Sequence, residues 1–233
     1  MRARAPGKIF NGRIRGSAPK RHGKTEETVE RRHEEARRRG VRLFFTGVGG
    51  QGTLVATRLV GEAALAEGLS ASMSEIHGMA QRGGVVESSV VVGDIRAPIV
   101  AEAQADVLVA FEPLEALRAL NRCHAQTKAV VSTSPIVPFT VAAGQGTYPN
   151  LDDVLRELKD KLAAVVALDA EALAREAGSV RAANMVVMGA VAAMDVLPIA
   201  KATWDACLRK LFPPKLYDLN QRAFDAGFAH ARP

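Results

Sequence analysis

Cysteine is scarce in this chain of 233 residues: Cys123 and Cys207 are the only two, far apart and in no C-x-x-C pair. Iron–sulfur clusters and thiolate zinc sites need several thiolates close together, so the chain by itself is expected to hold neither. Both thiols read as packed and inert. His124 follows Cys123 directly, a spacing that aims no two ligands at one metal on a helix or a strand. Long apolar runs are missing as well. None approaches the ~18–20 residues that cross a bilayer, and the basic start leads into more charge where a secretory signal would turn apolar. These absences predict a cytoplasmic protein with no membrane contact.

Charge is present but unevenly spread. The formal net charge is +6, yet residues 1–40 hold 13 Lys/Arg against 5 Glu, while residues 41–233 hold 18 Lys/Arg against 20 Asp/Glu. The basic character therefore belongs to the first 40 residues, and the body is not expected to bind nucleic acid. Within that arm, residues 1–24 mix Gly, Pro and Arg without apolar periodicity and read as disorder. "TEETVERRHEEARRR" (25–39) can form a solvated helix with almost nothing to bury. The expected organisation is a basic leader over 1–40, or an upstream start codon, followed by one domain over 41–233; the competing reading is an arm that docks on a partner or a polyanion.

From Val41 the pattern is that of an α/β domain. "VRLFFT" (41–46) predicts a strand, and "TLVATRLVGEAALAEG" (53–68) a helix stopped by Gly68. "LSASMSEI" (69–76) predicts a second strand, which completes a β-α-β unit. "VVESSVVVGDIRAPIV" (85–100) reads as a hairpin turning at Gly93-Asp94, which makes the sheet mixed. "ADVLVAF" (105–111) and "KAVVSTS" (128–134) follow as strands, with a helix launched by Glu112-Pro113 between them. The proline-rich stretch 135–150 predicts an irregular excursion. Beyond it come a helix at 151–162, a strand at 164–168 and a helix at 170–177. "NMVVMGAVAAMDV" (184–196) is apolar nearly all round and reads as a helix buried in the molecule or under a partner. Two further helices, 198–211 and 214–229, make the C-terminal region helical. The expected class is a three-layer, Rossmann-like fold with a mostly parallel, partly mixed sheet.

Two segments carry candidate chemistry. Between the first strand and first helix, Gly47-x-Gly49-x-x-Gly52, with Gly50 and Gln51 inside it, matches the spacing of a dinucleotide turn in the right context. Glycines let a ligand approach the backbone, and a helix N-terminus favours an anion. Glu75, 23 residues after Gly52, stands near where such folds present a ribose-binding acid. The alternative is that these glycines only let helix and strand pack. A branched side chain at Gly49 is expected to meet a positive φ there. The second segment, "SEIHGMAQRGG" (74–84), gathers His77, Gln81 and Arg82 beside Gly83-Gly84. Arg82 with bare backbone N–H groups can clamp an oxyanion, and His77 can move a proton; the structural alternatives are a hydrogen-bonded loop histidine, a satisfied Gln81 and Met79 plugging the core.

Taken together, "FTGVGGQG", "SEIHGMAQRGG", "ADVLVAFEPLEALR", "NMVVMGA" and "NQRAFDAG" resemble the beta subunit of indolepyruvate ferredoxin oxidoreductase and its relatives, the gamma subunits or domains of 2-oxoacid:ferredoxin oxidoreductases. The resemblance covers about residues 41–230 and leaves out the basic arm. It implies oxidative decarboxylation of an aryl pyruvate dependent on thiamine diphosphate, with coenzyme A as acyl acceptor and ferredoxin as electron acceptor. Against that chemistry the chain is incomplete: cysteine clusters are absent, and Gly93-Asp94 lacks the rest of a Mg-diphosphate motif. A large alpha subunit is therefore expected to hold thiamine diphosphate, Mg2+ and [4Fe-4S] clusters.

On this resemblance Gly47, Gly49, Gly50, Gln51 and Gly52 cradle an anionic group, coenzyme A or a partner loop. Arg82 neutralises charge beside them, and His77 and Gln81 line a shared cleft. The competing functions are a free-standing NAD(P)-dependent dehydrogenase, resting on the turn and Glu75, and a non-enzymatic nucleotide-binding assembly module.

Overall fold

The computed structural model describes Glu34 and residues 40–77, 84–95 and 97–232. The basic arm, apart from Glu34 and Gly40, lies outside them, as do Gln81, Arg82, Gly83 and the side chain of His77.

Six strands form one sheet: β1 (Val41–Val48), β2 (Ala71–His77), β3 (Val85–Val92), β4 (Ala105–Ala110), β5 (Cys123–Ser132) and β6 (Ala164–Leu168), in the order β2-β3-β1-β4-β5-β6. The β1–β4, β4–β5 and β5–β6 pairs are parallel; β3 runs antiparallel to both of its neighbours. Eight helices accompany the sheet among the described residues: α1 (Thr53–Ala66), α2 (Pro113–Arg118), α3 (Phe139–Ala142), α4 (Leu151–Lys161), α5 (Ala170–Ala177), α6 (Ala183–Ala193), α7 (Lys201–Leu211) and α8 (Pro214–His230). None is long and apolar enough to cross a membrane.

The period of two along the strands builds the layers. Leu43 and Phe45 of β1, Val107 and Val109 of β4 and Val130 of β5 face a core completed by α1 and by the C-terminal helices α6, α7 and α8. Phe44, Leu108, Ala110, Ala129 and Val131 point the other way, onto α2 and α4. Alternation thus gives the sheet two apolar faces, and helices must cover both.

One predicted element is corrected. No hairpin turns at Gly93-Asp94: β3 ends at Val92, and residues 97–104 add no strand. Pro98 has no N–H for a ladder. Its carbonyl instead accepts a hydrogen bond from the Ser89 hydroxyl, and Val100 buries itself against the face that carries Phe44. The hairpin is β2–β3, with Ala71 opposite Val92 and His77 opposite Val86. Because β3 slots between β1 and β2, the β1–α1–β2 crossover skips one strand. β5 also begins earlier than expected, at Cys123.

The C-terminal helices meet at backbone distance. A Cβ on Gly189 of α6 would lie 1.9 Å from the Phe224 carbonyl oxygen, and one on Gly227 of α8 would lie 1.8 Å from that of Val186. The apolar helix expected over 184–196 is therefore buried inside this molecule, with α8 laid across it.

Candidate functional site

The C-terminal ends of β1, β4, β5 and β6 share one edge of the sheet. From β1 the chain leaves to α1 on one face and from β4 to α2 on the other, so a crevice opens between them. A cavity of about 330 Å3 occupies that place. Its floor is the glycine turn, at Gly49, Gly50 and Gln51; its walls are Phe111 after β4, Ser132 at the end of β5 with Ser134 and Ile136 beyond it, Glu171 of α5, Arg181 in the 3-10 turn before α6 and Asn184 in the first turn of α6.

The turn's glycines divide by what surrounds them. A Cβ on Gly47 would stand 2.8 Å from the Gln51 Oε1 and 3.1 Å from the Phe111 Cβ, so this glycine makes room for its own neighbours. Gly52 caps α1 in the left-handed region, φ 80°, and a Cβ there would come within 2.4 Å of the Asn184 Nδ2. Gly50, at φ 105°, is the open position: a Cβ would meet nothing within 4 Å. The expected positive φ at Gly49 is corrected, since Gly50 and Gly52 carry it. The Gly49 N–H donates to the Gly84 carbonyl at 2.9 Å, which brings the end of the HGMAQRGG loop onto the turn.

Gln51 is occupied internally. Its Oε1 accepts from the Val48 N–H at 2.7 Å and its Nε2 donates to the Phe111 carbonyl at 2.8 Å, tying the ends of β1 and β4 together. His77 closes β2 opposite Val86. Glu75 pairs with Ser88 on the edge strand and is separated from β1 by β3. It does not line the cavity.

Residues that local spacing did not single out complete the site. Asn184, 9% exposed, donates a long 3.4 Å hydrogen bond from Nδ2 to the Gly52 carbonyl, and its Oδ1 has no partner. A buried acceptor left open at a cavity wall offers a ligand N–H or O–H a place to bind. Arg181 supplies a guanidinium, and α1, which starts just after the turn, has neither an acid in its first turn nor a side-chain cap to offset the positive end of its dipole. Glu171 adds a negative charge to the lining. Just before it Asp169 caps α5, and the Ala172 N–H holds its carboxyl below the usual range, opposed by burial and helped further by the Ser134 hydroxyl.

The wall after β5 is held by a buried carboxylate. Glu112, 1% exposed, caps α2 by accepting from the Glu115 N–H at 2.9 Å; its other oxygen accepts from the Ile136 N–H at 3.1 Å and from the Tyr148 hydroxyl. Burial, then the bond to Glu112, pushes the Tyr148 phenol far up. Burial also raises the Glu115 carboxyl, with Arg118 opposing and Glu112 adding to the rise. The two thiols lie elsewhere: burial lifts Cys123 to about 11 and raises Cys207 too.

The family described as pyruvate ferredoxin/flavodoxin oxidoreductase matches residues 42–230. The chain belongs to that family. Within it, indolepyruvate oxidoreductase subunit IorB of Methanothermobacter thermautotrophicus is 38% identical over 189 residues, 81% of this chain and 96% of the relative. Ketoisovalerate oxidoreductase subunit VorA of Methanothermobacter marburgensis is 28% identical over 209 residues, which are 89% of this chain but 40% of that one. Among solved structures, a keto/oxoacid ferredoxin oxidoreductase gamma subunit from Geobacter sulfurreducens has the same fold, with a TM-score of 0.61, 24% identity, and coverage of 82% of this chain and 98% of that one.

The family's redox groups do not fit the described residues. Gly93-Asp94 follows β3 at the edge opposite the cavity, beside the start of β1, and the two buried cysteines sit in separate cores. No step of the chemistry is therefore derived through a thiamine diphosphate or a cluster on this chain.

Proposed function

We propose that this chain is the IorB-type subunit of an indolepyruvate ferredoxin oxidoreductase. With a large alpha subunit it converts indolepyruvate, or another aryl pyruvate, and coenzyme A to the acyl-CoA and carbon dioxide, and the electron pair released passes to ferredoxin. The observation that carries this reading is the 38% identity to IorB across 96% of that relative's length. It favours a subunit of a complex over a free-standing NAD(P)-dependent dehydrogenase or a non-enzymatic nucleotide-binding module. Residues 1–40 are a leader outside the working domain, and the assembly is cytoplasmic.

Thiamine diphosphate, Mg2+ and [4Fe-4S] clusters, held by the partner, supply decarboxylation and electron export. This chain's residues bind and orient. The N-terminus of α1 and the Arg181 guanidinium offer an anion two sources of positive potential, and Gly50 leaves the backbone bare for close approach. The Asn184 Oδ1 accepts from an amide or hydroxyl of the same ligand. These features suit a phosphate and an adjoining polar segment of coenzyme A. About 330 Å3 is at the low end for ligand clefts, so the rest of so long a molecule lies against the partner. On the same reading His77, Gln81 and Arg82 belong to a cleft shared with the alpha subunit; of these, only the His77 backbone, at the end of β2, lies within the described residues.

Reconstitution tests the reading. Reduction of ferredoxin by indolepyruvate is expected only when chain and alpha subunit are combined and coenzyme A is added. Turnover by the purified chain alone, or an alpha subunit equally active without it, would overturn the proposal.

A further inference from the structure

Nine large apolar side chains stand exposed among the described residues, and five of them sit at the edge that carries the cavity. Leu54 is on the first turn of α1, Ile76 precedes His77 at the end of β2, Val137 and Phe139, the first residue of α3, are on the strap of residues 135–149 after β5, and Val180 lines the cavity itself. Single exposed apolar residues are ordinary; a set of them gathered around a polar crevice marks a place where another protein sits. Phe139 is the extreme case, a phenyl ring 86% exposed.

We propose that this edge is the docking face for the large subunit, that Phe139 is its anchor, and that the cavity is closed between the two proteins. The inference rests on the subunit reading and adds where, and through which residue, the subunits meet. The strap is set before docking. Pro135, Pro138 and Pro149 fix three φ angles, and buried Glu112 pins the segment at both ends through the Ile136 N–H and the Tyr148 hydroxyl. An anchor presented on a braced segment loses little freedom on binding.

The relatives identify the occupant. This chain matches 96% of IorB, which is itself named a subunit, but 40% of VorA, in which the matched unit shares one polypeptide with a larger unmatched part. On the subunit reading, the occupant of this edge is the large subunit.

The test is a titration of the full chain against the large subunit, read by sedimentation. Phe139→Asp is expected to weaken the complex about tenfold or more, as loss of an aromatic anchor does. The control is Leu65→Asp, another exposed apolar position, in the last turn of α1 and away from the cavity, and it should bind within about twofold of the parent. Neither residue is packed in the fold, so thermal unfolding should be unchanged in both. Phe139→Asp binding like the parent, Leu65→Asp weakening as much, or a homodimer that Phe139→Asp breaks would each overturn the docking face. A parent chain that does not bind the large subunit at all would overturn the subunit reading as well.

Discussion

Asn184 shows why part of the site was invisible to local spacing. It meets the glycine turn across 132 residues of sequence, and only the packing of α6 against α1 brings it there. The turn itself was legible, since a strand, four glycines and a helix lie within one short segment; the cavity's other polar walls come from three later connections. Asn184→Ala removes a long hydrogen bond and the open acceptor together. Stability is expected to fall by no more than about 1 kcal/mol, while the KM for coenzyme A in the assembled enzyme rises severalfold with kcat little changed; an unaltered KM would remove Asn184 from the site. Glu115 makes a separate prediction. Burial holds the carboxyl of Glu115, a residue 3% exposed, above the usual glutamate range, so the folded state binds its proton more tightly than the unfolded chain does. This group therefore adds stability as pH falls toward the raised value and withdraws it as pH climbs. Glu115→Gln keeps an acceptor for Arg118 and loses the titration. Urea unfolding should show the variant gaining on the parent as pH climbs from the ordinary glutamate value, about 4.3, and a constant difference on that climb would refute the assignment.

At the level of elements the hydrophobic patterns located nearly every strand and helix, and the exception is instructive. The run 85–100 has the composition of a hairpin with a Gly-Asp turn, but a proline in its second half and a serine that can hold the proline's carbonyl turn that half into a cover for the sheet face. Periodicity reads which residues are apolar; it does not read which ladder a strand joins, so the insertion of β3 between β1 and β2 could not be foreseen. The contact of α6 with α8 was hidden for a similar reason, because a glycine inside a helical pattern looks like a small cost until its neighbour is known. Gly189→Ala forces a methyl group onto a backbone carbonyl that has no rotamer to yield. The helices must separate, and a loss of about 3 kcal/mol or more is expected. Gly61→Ala in α1 is the contrasting change: its Cβ would stand 3.1 Å from the Met73 Sδ, the end of a flexible, half-exposed side chain. Relief of the helical glycine should there stabilise the fold by about 0.5–1 kcal/mol. Chemical unfolding of both variants checks the pair, and equal signs would show that the crossing is looser than the structure has it.

For the molecule as a whole, the same uneven charge that misleads about nucleic acid makes the role of the first 40 residues testable. The family match starts at residue 42 and β1 starts at Val41, so the sheet, both cores and the cavity walls use residues that follow the arm. Gly40 belongs with the body: at φ 67° it lies against Ile95, where a Cβ would be 2.3 Å from the Cδ1. A truncation that begins at Gly40 therefore keeps the close contact and removes the excess of Lys and Arg, leaving 18 basic against 20 acidic side chains. Such a protein should no longer be retained on a cation exchanger at neutral pH, because its net charge has changed sign. Its thermal midpoint and its turnover with the large subunit should match those of the full chain. If turnover falls with the midpoint unchanged, and the loss is deeper at low salt than at high, the arm contributes to assembly by charge and the leader assignment fails.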